Sequence, residues 1–488
     1  MPTKRPTPGK NSAHAQRSPR QSTRRGTSAS YRPRAAHATH APTVRVAEGR
    51  SEQGIKVPAP GGGQVLLTRR HFLYGAIGIG ALAVVGGGIG VGVNAASKAN
   101  EPTFNTLAVS KDAVTSCSAA TPGDFTEIED SSTVLGLSGT YELPYGTLVW
   151  ASDDSLAACL VPTDGSKPLT KVVLLSLSSG NQTTAISQAK GQEEGFEIYD
   201  VRACATGVVW TEANIMDGTW RIFAGKLNSN GDALSSIQQL DEGSTDPFET
   251  PTIAAVGGHA FWQVLPKMDG SASKEASRLM RARFGSSDTE EAYTSKGRMC
   301  TPPYATGDSV VITPRAAASS SRYQLTRIDA QSASVVDSLV LPSSMKPLEA
   351  GYGDTGFMFS FEAIYNFGEG IANLGTYIPA STVQPDTDAE GNASYSLVPW
   401  FRHGVTPTAP PAWCGGWIIA KDSYNVCGFS PESKQYFLLE VKSGAPSFGD
   451  YLASTGSVKR VVTYSNIDNT TLQGESQQYC CVRVWEPV

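Results

Sequence analysis

From about residue 133 to the end of the chain, hydrophobic positions come in short runs separated by polar Gly, Asn, Asp and Ser turns. The runs are rich in β-branched and aromatic residues. Examples are Thr147–Trp150, Gly207–Trp210, Trp220–Phe223, His259–Trp262, Ser309–Ile312, Gly356–Phe359, Gly416–Ala420 and Tyr479–Trp485. No segment here keeps the 3.6-residue period of a long amphipathic helix, so the pattern predicts an all-β body.

The runs are also periodic. A glycine precedes a Val/Phe/Trp-rich strand at Gly146, Gly207, Gly257, Gly307, Gly356, Gly416 and Gly456, at spacings of 40 to 61 residues. Three copies share a longer frame: Pro251-x-Ile253 before Gly257, Pro302-x-Tyr304 before Gly307, and Pro411-x-Trp413 before Gly416. A repeat near 50 residues with about four strands is the size of one propeller blade. Radial stacking covers both faces of each sheet and leaves only short edges. Seven anchors predict seven blades over residues 133–488, with Tyr479–Trp485 closing the ring on the first strand near Val134–Tyr141. The unit at 207–231 resembles blades of extracellular propellers in the Tol-associated and quinoprotein-like group. The alternative architecture is one or two β-sandwiches.

The N-terminal part follows other rules. Residues 1–67 are rich in Pro, Ser, Thr, Arg, Gly and Ala and contain no Phe or Trp. They cannot bury enough apolar surface to offset ordering entropy, which predicts a disordered basic cytoplasmic tail. Thr68-Arg69-Arg70-His71-Phe72-Leu73 then leads into a stretch without charge as far as Val93, eight of whose residues are glycine. Thr68, Arg69, Arg70, Phe72 and Leu73 resemble the twin-arginine export signal, with Tyr74 standing where that pattern often has Lys. The resemblance implies export by the twin-arginine translocation machinery.

At about 1.5 Å per helical residue the 22 uncharged positions would span roughly 33 Å, enough to remain in the cytoplasmic membrane as an anchor. Cleavage after Ala95 or Ala99 is the other outcome, and both put the body outside the cell with the N-terminus in the cytoplasm. The expected organisation is thus a tail (1–67), a signal or anchor helix (68–99), a flexible spacer (100–132) and a propeller (133–488).

Charge agrees with this division. Residues 1–70 carry 14 of the 40 Lys+Arg and only 2 of the 45 Asp+Glu, so a basic head precedes an acidic body. The charge of the tail could grip nucleic acid or anionic lipid, but a solvated cytoplasmic extension beside the membrane explains it better, so no nucleic-acid partner is expected. All eight cysteines lie beyond the signal, without CxxC or Cys/His spacing for zinc, and read as disulfides or small buried residues. Neighbouring Cys480 and Cys481 should point to opposite sides of a strand, one inward and one outward.

Several motifs suggest chemistry and fail on context. Ser343-x-x-Lys346, Ser423-Tyr424-Asn425 and Lys442-Ser443-Gly444 mimic penicillin-recognising enzymes, yet Pro342 and Pro347 preclude the helix such a serine needs. Asp386, Asp388 and Glu390 resemble the start of a calcium loop, but Leu397 replaces its closing glutamate and a polar hairpin turn explains them better. No cofactor is implied. His259 and His403 are the only histidines past the signal, and no GxSxG elbow occurs.

Asp153, Asp154, Glu193, Glu194, Glu212 and Asp217 could supply a glycosidase pair but read equally as hairpin-turn residues. Trp150, Trp210, Trp262 and Trp417 recur at like positions and are expected between blades. The reading that follows is a noncatalytic binding or interaction module with an envelope or extracellular ligand. A surface hydrolase or lyase acting on carbohydrate or peptide is the alternative.

Overall fold

The computed structural model describes residues 125–488 apart from 164–168, 232, 319, 344, 364–372, 377–385, 388–392, 395–399, 403–408, 422–424, 431 and 471–475. It also describes the backbone of four short strands, Gly54–Ala59, Gly63–Thr68, Leu107–Ala108 and Val114–Ser116. The chain forms a β-propeller. Seven antiparallel sheets follow one another: blade 1 (148–186), blade 2 (197–244), blade 3 (252–294), blade 4 (304–340), blade 5 (345–402), blade 6 (412–438) and blade 7 (451–487). Among the described residues there is no α-helix. The ring belongs wholly to the compact unit formed by residues 55–488.

Closure of the ring is visible in the core, which is divided into seven apolar clusters. Each is shared by two consecutive blades, from Trp210 with Leu160 between blades 1 and 2 to Trp485 with Phe437 between blades 6 and 7. The last one unites the ends of the chain, packing Val149 and Cys159 of blade 1 against Val462, Cys480 and Val482 of blade 7. Strand alternation makes this possible: on Gly207–Asn214, Val208 and Trp210 face blade 1 while Val209 faces blade 3. Both faces of such a strand are dry, so all eight of its residues are buried.

Blade 7 is completed from both termini. Ser476–Pro487 pairs with Leu135–Pro144, and Tyr479 stands opposite Pro144 and Val482 opposite Tyr141. This is the predicted seam. Buried Arg483 and Asp450 form an ion pair in the same blade, and Arg483 also donates to the Glu440 carbonyl at 2.6 Å.

Three expectations need correction. Part of the supposed flexible spacer is structured: Val114–Ser116 adds to the outer edge of blade 5, and Thr126–Glu127 adds to that of blade 6. Unpaired edge groups accept the passing segment, which belts two blades before entering the third. Cys480 and Cys481 do lie on opposite faces, but both are buried, because each face of the sheet is covered by a neighbouring blade. Only five of the seven glycine anchors mark one place, the turn from the innermost to the second strand; Gly146 precedes an innermost strand and Gly456 lies in a loop considered below.

Residues 1–53, Arg69, Arg70, Phe72, Leu73 and the apolar run lie outside the described residues. Gly54–Ala59 and Gly63–Thr68, the latter ending at Thr68, form a two-stranded sheet. Among the described residues no helix is long and apolar enough to cross a membrane.

Candidate functional site

The innermost strands border the central channel. They all start at one face of the ring, here the upper one, and end in turns at the lower face. The lower mouth is crossed by a strap, residues 453–460 of blade 7. Ala453 accepts from the Ala151 amide of blade 1 at 2.9 Å, and Ser457 bonds Thr306 of blade 4 at 3.2 Å and Asp354 of blade 5 at 3.3 Å. Gly456 and Ser457 pair with Ala412 and Trp413 of blade 6, and the Lys459 amide returns to Asp154 of blade 1 at 2.6 Å. Contacts with blades on opposite sides of the ring mean that the strap passes over the axis.

Gly456 is required there. Its φ is +71°, and a Cβ would lie 2.5 Å from the Ala305 carbonyl oxygen and 2.6 Å from Thr306 Cα.

The polar residues of the channel lie on the inner side of this strap: Arg202 and Tyr304 each stand two residues before the lower end of their innermost strand, and Trp150 adjoins Ala151, which bonds the strap. On blade 2 the Glu197–Cys204 strand carries Asp200 and Arg202, which form an ion pair while keeping 15% and 22% of their side-chain surface exposed. The Arg202 guanidinium also lies 4.4 Å from the Trp150 ring centre, over its face, and donates to the Val201 carbonyl at 2.7 Å. Burial raises the Asp200 pKa, and Arg202 opposes the shift.

Between blades 4 and 5, the Tyr304 hydroxyl donates to Glu349 Oε2. Burial pushes the Glu349 carboxyl up to about 7 against the opposing effect of that hydrogen bond. Tyr304 is held well above its ordinary value, first by burial and then by the Glu349 charge, and Arg202 acts on it in the opposite direction. Arg202 of blade 2 thus acts on Tyr304 of blade 4, which in turn bonds Glu349 of blade 5. All four side chains are surrounded by protein yet half-buried, as expected for the lining of a wet channel. The Arg298–Glu249 pair, 2.6 Å apart, sits at the upper mouth just ahead of the innermost strands of blades 4 and 3.

The residues singled out in the sequence lie elsewhere. Glu212 is a fully buried strand residue and not a turn residue; it accepts from the amides of Lys190 and Gly191 at 2.6 and 2.9 Å and from Trp210 Nε1 at 3.0 Å. Asp153 accepts from the Ala205 amide at 3.0 Å, Glu194 pairs with Arg221 at 2.6 Å, and Asp217 accepts from Asn214 at 2.7 Å. These carboxylates hold turns together.

His259 is buried against the Gly257 carbonyl at 3.0 Å, and burial lowers its pKa. Lys346 lies on the Met345–Gly353 strand, so the mimicked serine-lysine motif has no helix. Trp210 and Trp262 are fully buried between blades as expected. Trp150 is different: it sits on an innermost strand, half-buried under Arg202.

Asp386 begins the Asp386–Thr387 strand and pairs with Ser394, as a hairpin requires; Asp388 and Glu390 lie outside the described residues. Among the described residues no three His, Cys, Asp or Glu side chains are grouped to hold a metal ion.

Sequence reasoning missed Asp200, Arg202 and Glu349, because it sought motifs and these residues come from different blades. The one available signal was polar residues within strands that precede a glycine turn, as in the Pro302-x-Tyr304 frame.

No protein-family profile matches the chain, and no curated protein matches it in sequence. Solved structures with a similar chain trace include a prolyl endopeptidase, 7% identical with TM-score 0.41 over 71% of this chain and 47% of that one. A puromycin hydrolase is 14% identical with TM-score 0.40 over 72% and 55%. BamB from Moraxella catarrhalis is 12% identical with TM-score 0.36 over 72% and 98%. The chain spans about half the length of the first two.

Proposed function

We propose that this protein is exported by the twin-arginine route and acts outside the cytoplasm as a noncatalytic propeller that binds an envelope or extracellular ligand at its upper mouth. The observation that carries the binding reading is the contrast between the two ends of the channel. One is crossed by the strap, so the half-buried polar residues of three blades, which line the channel on its inner side, are approached from the other. Of the carboxylates that might have formed a hydrolytic pair, Asp153, Asp154, Glu194, Glu212 and Asp217 are engaged in structural hydrogen bonds or ion pairs. A surface hydrolase is the second reading, favoured by Glu349 alone, since a carboxyl held near neutrality can act as a general acid.

Two measurements test the proposal. Replacing Arg69 and Arg70 by Lys should abolish export of a reporter fused after residue 105, and unchanged export would remove the twin-arginine claim. For the ligand, a photo-cross-linking residue is placed in the full chain at Met268 or Phe448, exposed on upper loops, or at Val336, exposed at the lower end of blade 4. Cross-links from the upper positions alone are expected; cross-links from Val336 alone would place binding on the wrong face.

A further inference from the structure

We propose that the channel takes up a cationic group, an alkylammonium or a guanidinium, on Glu349. This deepens the reading of the upper mouth as the ligand entrance and rests on it.

Three carboxylates belong to the channel and its upper mouth. Asp200 is neutralised by Arg202, and Glu249 by Arg298. Glu349 has no ion pair among the described residues; its partner is the Tyr304 hydroxyl, which occupies Oε2. Its Oε1 accepts no hydrogen bond from the described residues. Lys346, three positions earlier on the same strand, exerts its charge on the Cys300 thiol instead.

A carboxylate surrounded by protein and lacking a cation is destabilised, and it recovers by taking a proton or a positive ligand. Glu349 is only half-buried, which leaves part of it open to a ligand in the channel. Among the described residues no second and third carboxylate is grouped with it, which disfavours a divalent metal, whose binding needs several hard oxygen ligands. The strap over the lower mouth limits entry: a group can be inserted from above, but an extended chain cannot thread through. A single side chain of lysine or arginine, or a free alkylamine, satisfies both conditions. Tyr304 fixes the carboxylate so that Oε1 remains to accept the N–H of the ligand.

The test is calorimetric titration of the full chain at about pH 8, where Glu349 is ionised. The probes are n-butylammonium chloride, n-butylguanidinium chloride, the blocked peptide acetyl-Gly-Lys-Gly-amide and, as a neutral control, n-butanol. The cations should bind about tenfold more tightly than butanol, and Glu349→Gln should lose about that factor for every cation while leaving butanol unaffected. Tyr304→Phe, which frees the carboxylate to rotate, should weaken binding by a smaller factor.

An unshifted or higher thermal transition in Glu349→Gln shows that lost binding is not lost fold. Tighter binding of the peptide than of free butylammonium identifies a polypeptide side chain as the source, and the reverse identifies a small amine. Equal binding of cations and butanol, or cation binding that survives Glu349→Gln, overturns the assignment. In that case cross-links confined to the upper face would still support the mouth as a binding surface, so the two ideas fail separately.

Discussion

Blades 1 to 4 are each built from one uninterrupted stretch of chain, whereas blades 5 to 7 borrow strands from elsewhere. Blade 5 receives Val114–Ser116, blade 6 receives Thr126–Glu127 on its outside and Gly456–Ser457 on its inside, and blade 7 receives Leu135–Pro144. The first four could be read as a row of repeats in which each unit contacts its neighbours. The last three convert the row into a ring. They also make the strap, so the half of the molecule that closes the circle closes the lower mouth as well. Local units therefore specify the sheets, and a few long-range pairings specify the cavity.

The comparison breaks most completely if the seam is removed. Deleting residues 478–488 takes away most of the terminal strand, leaves Leu135–Pro144 without its partner and exposes the Cys159 side of blade 1. The clusters between blades 1 and 7 and between blades 6 and 7 both lose residues, including Cys480, Val482, Val484 and Trp485. Losing several buried side chains at about 2 to 5 kcal/mol each exceeds the whole stability of a typical domain. Hydrogen exchange should show protection lost in blade 1 as well as in blade 7. Full protection retained over residues 148–186 would mean that the blades stand independently.

That contrast also explains what was legible in the sequence. Second and third strands such as Gly207–Asn214 are buried on both faces, so they read as continuous apolar runs. They supplied the class and the blade number. The outermost strands, such as Thr289–Thr294 with three exposed residues at its start, carry polar faces and were invisible as strands. The innermost strand Glu197–Cys204 failed for another reason: it carries the channel chemistry, and Asp200 and Arg202 interrupt its apolar pattern.

Closure between Tyr479–Trp485 and the first strand was foreseeable because a β-rich C-terminus needs a partner. The parallel additions at 114–116 and 126–127 were not, since two or three residues of edge pairing leave no periodic trace. The site was hidden because Arg202, Tyr304 and Glu349 come from three blades that only ring closure brings around one channel. The paired thiols at Cys480 and Cys481 misled the reading by assuming one wet face where the propeller has none.

A smaller perturbation separates the two roles of the ring-closing half, sealing the seam and sealing the channel. Gly456→Val leaves blade 7 intact but puts a side chain into the backbone of Ala305 and Thr306, at a positive φ that valine resists. The expected cost is about 3 kcal/mol, taken by the strap and not by the sheets. Amides of residues 454–458 should exchange faster while those of Ser476–Pro487 keep their protection. Equal loss in both would show that strap and seam form one cooperative unit.

The smallest effect concerns the channel wall that joins the two halves. Glu349 stands on blade 5, Tyr304 on blade 4, and the carboxyl is held up to about 7 from the ordinary 4.5 by burial. Between those values the folded protein binds more protons at this site than the unfolded chain. The contribution of Glu349 to stability is therefore full below about pH 4.5, declines as pH rises, and is lost once pH passes about 7. Glutamine keeps the shape and cannot ionise.

Glu349→Gln should consequently match the parent near pH 4.5 and melt higher at about pH 8. Water reaching the half-buried carboxyl screens the penalty, so the gain should be near 2 °C. Butylammonium added to the parent at the higher pH should recover part of the same gain, because a bound cation relieves the same buried charge. A parent and variant that melt together at both pH values would show that water already stabilises the ionised carboxylate. The wall between blades 4 and 5 would then be electrostatically indistinguishable from the protein surface.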